Sequence, residues 1–270
     1  MVKGDATAAS VTQGSPGTHP GGHAPSGDCR FLRESSGPRQ RPQTRKSLHL
    51  PALTQSVAVL ATSLCLTLWT PAVGNAQGVR CQPVSQRSAE LGCWVLANTP
   101  LDSPMPEAPF WHLETYPTRS AADAARGSNG TVVEALNKIW LLTVAGPEWR
   151  SASGSHVAAI GPLPVRPGVR YTAQYMEAVF TPRMTSSAHR HSGAEAWYTA
   201  AGETCLETPA GTQVSRAGGP KVIIPEGSPM ELTATGTATR RGLVIILYDA
   251  SQPSTTLTPE WTPKGLCRAR

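Results

Sequence analysis

The pattern of apolar and polar residues changes along the chain and predicts where the folded part begins. Residues 1–46 show no periodicity and are rich in Gly, Pro, Ser, Thr and Arg, so we expect a disordered leader that cannot bury a core. From Gly154 onward, short β-branched or aromatic runs are separated by turn residues about every ten positions. This spacing predicts a sandwich or barrel of the jelly-roll kind over residues 151–252, followed by a tail at 253–270.

Residues 77–150 combine strand and helix signals. The segment up to Pro109 is rich in turns and proline, which disfavours both a helix and an inner strand. The run FWHLETYPT alternates in polarity and predicts a strand. Ser120 is the predicted N-cap of a short helix, AADAAR, which Gly127 ends. The fold class is therefore mainly β, with a small α+β lead-in before the barrel.

An uncharged apolar run occupies residues 52–69, after the basic Arg45 and Lys46. Small residues follow it, and together these are the three parts of a secretory signal with cleavage after Ala76. The alternative is a membrane anchor, because 18 residues come close to spanning a bilayer. Polar residues within the run and the lack of a basic stop favour the signal. We thus expect a signal peptide at 47–76 and a periplasmic or secreted protein without a stable membrane span.

The predicted leader also changes the charge of the chain. The whole chain carries 24 basic and 18 acidic residues, of which residues 1–46 hold 7 and 3 and residues 47–76 hold none, so 17 and 15 remain. The folded part is nearly neutral and gives no indication of a nucleic-acid partner. Because a signal normally lies near the first methionine, translation is expected to start downstream of Met1, with a real extension as the alternative.

Four cysteines remain after the predicted cleavage: Cys81, Cys93, Cys205 and Cys267. An even number in an exported chain indicates disulfides, with three pairings open. Reduced cysteines or a zinc site are the alternative, but the chain has no C-x-x-C spacing. We expect Cys81–Cys93, which closes a short loop, and Cys205–Cys267, which ties the tail to the body.

The stretch HRHSGAE holds the candidate chemistry. Residues two apart in a strand face the same way, so His189 and His191 would present both imidazoles to one side. Ser192 and Gly193 permit a bend, after which Glu195 can return on the histidine face. Two nitrogens and one oxygen would then converge, as in sites for Zn, Mn, Fe or Ni. In the other interpretation, the same side chains hydrogen-bond one another and line a metal-free pocket.

The string His189-x-His191-x-x-x-Glu195, with Gly202 after six further residues, resembles the first signature of the cupin superfamily. Cupins are small β-barrels whose metal ligands lie on that string. A second signature matches in part: Gly219, five residues, Pro225-x-Gly227, two residues and Met230. The resemblance covers residues 155–250 and implies a cupin-like barrel that binds one divalent transition metal.

Three positions depart from the family pattern. Met230 stands where the second signature has a histidine, and a thioether is a poor ligand for the ions that imidazole and carboxylate prefer. Ala234 replaces a later asparagine, and Arg183 replaces the glycine that precedes the first histidine. The fourth protein position is then empty or filled by water. Glu231 could substitute through a local bulge, although strand alternation points it outward.

The resemblance implies an exported metal-dependent cupin, of oxygenase or isomerase type, with a small-molecule substrate. The alternative is a metal-free cupin that binds or senses a small molecule without catalysis. Tyr175 and Glu177 share one strand face and are expected to line the pocket together with Met230. Trp197 shares the parity of Glu195, so it either walls the pocket or packs in the core. A homo-oligomer is compatible with the sequence.

Overall fold

The structure, a computed structural model, describes residues 78–268. The predicted leader at 1–46 and signal at 47–76 lie outside the described residues. Among those described, the chain forms fifteen strands, one α-helix and one 3₁₀ turn, which confirms the mainly β prediction. The strands are β1 (Cys81–Pro83), β2 (Gly92–Pro100), β3 (Phe110–Tyr116), β4 (Gly130–Ala135), β5 (Lys138–Ala145), β6 (Ser155–Ile160), β7 (Tyr171–Phe180), β8 (His189–His191), β9 (Gly193–Ala201), β10 (Glu203–Thr208), β11 (Gly211–Arg216), β12 (Val222–Ile224), β13 (Glu231–Thr235), β14 (Arg240–Asp249) and β15 (Thr255–Leu257). The helix α1 spans Arg119–Ala125 and the 3₁₀ turn spans Val84–Gln86.

A six-stranded sheet in the order β1-β2-β7-β14-β9-β12 is the central layer. Its strands are antiparallel except for the β1–β2 pair. The two long strands β7 and β14 pair over their full length, from Phe180 opposite Arg240 to Tyr171 opposite Asp249. Both faces of this sheet are covered, which explains why its inner strands are apolar at nearly every position.

The three-stranded sheet β11-β10-β13 and the β15-β8 pair cover one face of the central sheet. Single bridges from Thr185 to Thr233 and from His189 to Met230 connect these two pieces. Two facing sheets in this arrangement give the predicted jelly roll. The buried apolar side chains between them are Cys93, Met176, Ala178, Phe180, Trp197, Leu206, Val222, Ile224, Met230, Leu232, Ala234, Val244 and Ile246.

A four-stranded sheet, β4-β5-β3-β6, covers the other face of the central sheet. Large side chains such as Trp111, Trp140 and Tyr175 fill the space between the two sheets. The helix α1 packs on the far side of the four-stranded sheet. Its N-cap is Thr118, whose side chain accepts a hydrogen bond from the backbone of Ala121. The prediction of Ser120 was two residues late, because both hydroxyl residues suit an N-cap.

The strand pairing crosses the boundary that the sequence predicts at residue 150. Strand β2, from the predicted lead-in, pairs with β7 in the central sheet. Strand β6, which follows residue 150, pairs with β3 of the lead-in. The lead-in and the predicted barrel therefore share both sheets.

Two disulfides stabilise the described chain, and both follow the predicted pairing. One joins Cys81 to Cys93 and the other joins Cys205 to Cys267. Glu207 holds the same tail, because its carboxylate accepts hydrogen bonds from the backbone N–H groups of residues 264 and 266. Within residues 78–268, no helix is both long and apolar enough to cross a bilayer.

Candidate metal centre

His189 and His191 lie on the short strand β8, which pairs with β15 on one edge. On its other edge, His189 exchanges two backbone hydrogen bonds with Met230, at 3.0 and 2.8 Å. The two imidazole rings are 4.8 Å apart, centroid to centroid. Arg190 points the other way and forms an exposed ion pair with Glu260. The predicted parity of the two histidines is confirmed.

Glu195 reaches the histidines because the chain bends sharply between β8 and β9. At Gly193 an added Cβ would lie only 1.9 Å from the carbonyl oxygen of Leu247, so this crossing accepts only glycine. Two residues later, Glu195 lies in the central sheet with its side chain buried. The ligand atoms of His189, His191 and Glu195 all lie within 4.8 Å of one another.

Backbone carbonyls fix the tautomer of both imidazoles. His189 donates from Nδ1 to the carbonyl of Ser187 at 2.7 Å, and His191 donates from Nδ1 to the carbonyl of Ser254 at 2.9 Å. The hydroxyl oxygen of Thr255 lies 3.1 Å from the same His191 nitrogen. A carbonyl can only accept, so in each neutral ring Nε2 carries a free lone pair. Metal-binding histidines are oriented in this way, with the second nitrogen bonded to a carbonyl or carboxylate.

The atoms that these bonds leave free face each other. His191 Nε2 lies 3.5 Å from Glu195 Oε2, both side chains are almost fully buried, and neither atom has a hydrogen-bond partner among the described residues. A neutral imidazole lone pair against a carboxylate oxygen is unfavourable unless a cation or a proton lies between them. The donor set of two nitrogens and one oxygen fits a divalent transition ion.

The surroundings favour the charge states that bind metal. Burial lowers the pKa of His189, and the neighbouring His191 lowers it further. Burial alone would raise the pKa of Glu195, but attraction to the histidines in their protonated form, His191 foremost, brings it below its usual range together with a contact from Trp197. His189 therefore stays neutral at neutral pH, as a metal ligand must, and a bound cation would take the place of the imidazolium charge that keeps Glu195 ionised.

The three candidate ligands lie in the wall of a cavity of about 340 Å³ inside the jelly roll. Apolar side chains provide most of its lining surface. Its other charged residues are Arg80, which is exposed, and Arg240, which is 2 % exposed. Burial lowers the pKa of Arg240 to about 10, so the guanidinium remains charged at neutral pH. Sequence reasoning missed Arg240 because a single arginine at a strand start carries no motif.

Two of the predicted pocket residues face away from this cavity. Tyr175 and Glu177 do share a face of β7, but that face packs toward the four-stranded sheet, where Glu177 pairs with Arg87 at 2.8 Å. The neighbouring Gln174 and Met176 line the cavity instead. The prediction chose the wrong face because both faces of β7 are buried, so polarity could not distinguish them.

The remaining predicted pocket residues lie near the ligands without lining the cavity. Trp197 and Met230 are buried in the apolar core of the jelly roll, so Trp197 takes the second of its two predicted roles. Met230 pairs directly with His189 across the strands. Glu231 points outward and accepts two hydrogen bonds from Arg268, as strand alternation predicted.

One departure from the signatures, Arg183, has a structural explanation, and so does one matched residue, Gly227. Arg183 adopts φ of 74°, a left-handed conformation that favours glycine, so the backbone keeps the shape that the usual residue would give. Gly227, with φ of 78°, donates its N–H to the carbonyl of His191 at 2.9 Å. The second signature therefore supports the backbone of the first.

No family model matches the chain, and no curated protein matches it. Solved structures do match about a third of the chain, among them a cupin-like protein from Thermotoga maritima, with 16% identity over 32% of this chain and 64% of that one, and a TM-score of 0.29. A DMSP lyase from Ruegeria pomeroyi matches with 20% identity over 33% of this chain and 45% of that one, and a TM-score of 0.29. A cupin 2 conserved barrel domain protein from Salinispora arenicola matches with 19% identity over 33% and 82%, and a TM-score of 0.27. The chain is similar to cupin proteins. The match spans less than half of the DMSP lyase and under two thirds of the Thermotoga protein.

Proposed function

We propose that this protein is an exported cupin-like enzyme that holds one divalent transition ion, Zn, Mn, Fe or Ni, on His189, His191 and Glu195. The observation that carries the proposal is the buried 3.5 Å approach of His191 Nε2 to Glu195 Oε2, both without another partner. An ion bonded to both atoms would remove this unfavourable contact.

The protein's own groups prepare the site before an ion arrives. The carbonyls of Ser187 and Ser254 orient the two imidazoles, and burial keeps His189 neutral. When bound, the ion supplies a Lewis acid with open positions for a small molecule, which suits chemistry of the oxygenase or isomerase type. The cavity beside the ligands holds that molecule and limits its contact with water.

A metal titration with matched histidine variants tests the proposal. We expect the metal-free protein to bind about one Zn, Mn, Fe(II) or Ni ion per chain. His191→Ala should abolish binding, because it removes one of three ligands, whereas His156→Ala should have no effect, because His156 is exposed and lies outside the cavity lining. Isothermal titration of the folded variants measures both.

Met230→His provides a gain-of-affinity arm in the same titration. Met230 pairs directly with His189, and side chains of directly paired residues lie on the same face of a sheet. An imidazole there should add a fourth ligand and tighten binding. If the wild type binds no ion more tightly than His191→Ala does, the metal proposal is wrong, and these residues form the polar lining of a metal-free pocket.

A further inference from the structure

Arg240 is a buried cation without a counterion in hydrogen-bond contact. Its Nη1 donates to the carbonyl of Ala178 at 3.2 Å, while Nε and Nη2 have no partner among the described residues. The backbone leaves room for this guanidinium at Gly242, where an added Cβ would lie 3.2 Å from Nη2 and 2.4 Å from the carbonyl oxygen of Tyr198. The fold thus accommodates a charge whose hydrogen bonds it does not complete.

The unpartnered atoms of Arg240 form one edge of the guanidinium fork. The Nε and Nη2 hydrogens are parallel and match the two oxygens of a carboxylate. Thr204 lines the same cavity, and its buried hydroxyl is also without a partner among the described residues. Unsatisfied buried donors are costly, so these donors require an acceptor, which a bound ligand or water supplies.

The charge of the cavity also favours an anion. Glu195 is the only carboxylate among the described residues of its lining, whereas two arginines line it, Arg240 inside and Arg80 at an exposed position. An ion on His189, His191 and Glu195 would make the cavity still more positive. The rest of the lining surface is mainly apolar, which suits a ligand with a hydrophobic body.

From this geometry we infer that the cavity takes a small monocarboxylate with an apolar body, whose carboxylate binds the Nε/Nη2 edge of Arg240 and whose body lies against the apolar wall. The volume of about 340 Å³ is at the small end of ligand pockets and limits the ligand to a short aliphatic or single-ring acid. This inference names the ligand class of the proposed site, and its test does not depend on a bound metal.

Paired probes that differ only in charge test the inference. Benzoate and hexanoate are titrated against benzamide and hexanamide, with the full-length protein both metal-free and loaded with Zn. We expect the wild type to bind each acid at least tenfold more tightly than its amide. Arg240→Met should weaken acid binding roughly 10- to 100-fold, the range for a hydrogen bond to a charged group, and leave amide binding unchanged.

Neighbouring substitutions provide the controls. Arg241→Met removes the adjacent arginine, whose side chain pairs with Glu90 outside this cavity, and should leave acid binding unchanged. Thr204→Val should weaken acid binding several-fold while preserving shape. Replacing an unpaired buried cation with an apolar residue of similar length should not lower the urea midpoint of unfolding, so loss of binding can be separated from loss of fold.

Each result decides between the two proposals. The inference is overturned if the wild type binds acids no better than amides, or if Arg240→Met binds them as tightly as the wild type does. Acid binding that depends on Arg240, in a protein that binds no metal, supports the inference and contradicts the metal proposal. Metal binding without any preference for acids over amides supports the metal proposal and contradicts the inference.

Discussion

The disulfide Cys205–Cys267, which ties the tail to the jelly roll, should stabilise the fold more than the disulfide Cys81–Cys93 does. Cys205 and Cys267 are 62 residues apart, whereas Cys81 and Cys93 are 12 apart. Restricting the unfolded chain then contributes about 4 kcal/mol for the long loop and about 3 kcal/mol for the short one at 25 °C. Glu207 still accepts backbone hydrogen bonds from the tail when the bond is absent, so we expect a folded but weakened protein.

Urea unfolding at neutral pH measures the difference. The double variants Cys205→Ala/Cys267→Ala and Cys81→Ala/Cys93→Ala are compared with the wild type under identical conditions, with the slope of the transition checked for constancy. The long-loop variant should lose the larger free energy of unfolding. The reasoning fails if that variant loses less than about 1 kcal/mol, well below the usual range for a native disulfide, or if removal of Cys81–Cys93 costs more.

Two other predictions concern pH and processing. The free energy of unfolding of the metal-free protein should fall as the pH is lowered from 7 to 5. Burial lowers the folded-state pKa of His112 and His189, so the unfolded chain takes up protons at a higher pH than the folded chain does. Urea midpoints that do not change over this pH range would contradict the prediction. Glu195, whose pKa is also lowered, keeps its contribution to lower pH. The exported form should begin at Gln77, which its intact mass checks, and a product that retains residues 52–69 would indicate an anchor instead.

Strand parity predicted the candidate ligands because the relevant constraint is local. His189 and His191 are two residues apart on one strand, and the close crossing at Gly193 turns Glu195 back toward them. Parity also placed Tyr175 and Glu177 on one face of β7, but it could not tell which face lines the cavity, because both faces are buried and do not differ in polarity.

Other parts of the site depend on contacts that no local pattern encodes. The carbonyl of Ser254 orients His191 from 63 residues away, and any residue type could supply a carbonyl. Arg240 becomes notable only when its burial and its missing partners are seen. The predicted boundary at residue 150 missed the pairing of β2 with β7 because non-local strand pairs leave no fixed spacing in the sequence.

The strand β15 has a consequence for biogenesis. A ribosome makes this chain from its N-terminus, so the nascent polypeptide contains both histidines and the glutamate well before it contains Ser254 and Thr255. Until those late residues dock against β8, nothing fixes the proton of His191 on Nδ1, and Nε2 is not reserved for a ligand. The orientation of His191 is therefore complete only when two segments far apart in the sequence have met, so it depends on the tertiary fold and not on β8 alone.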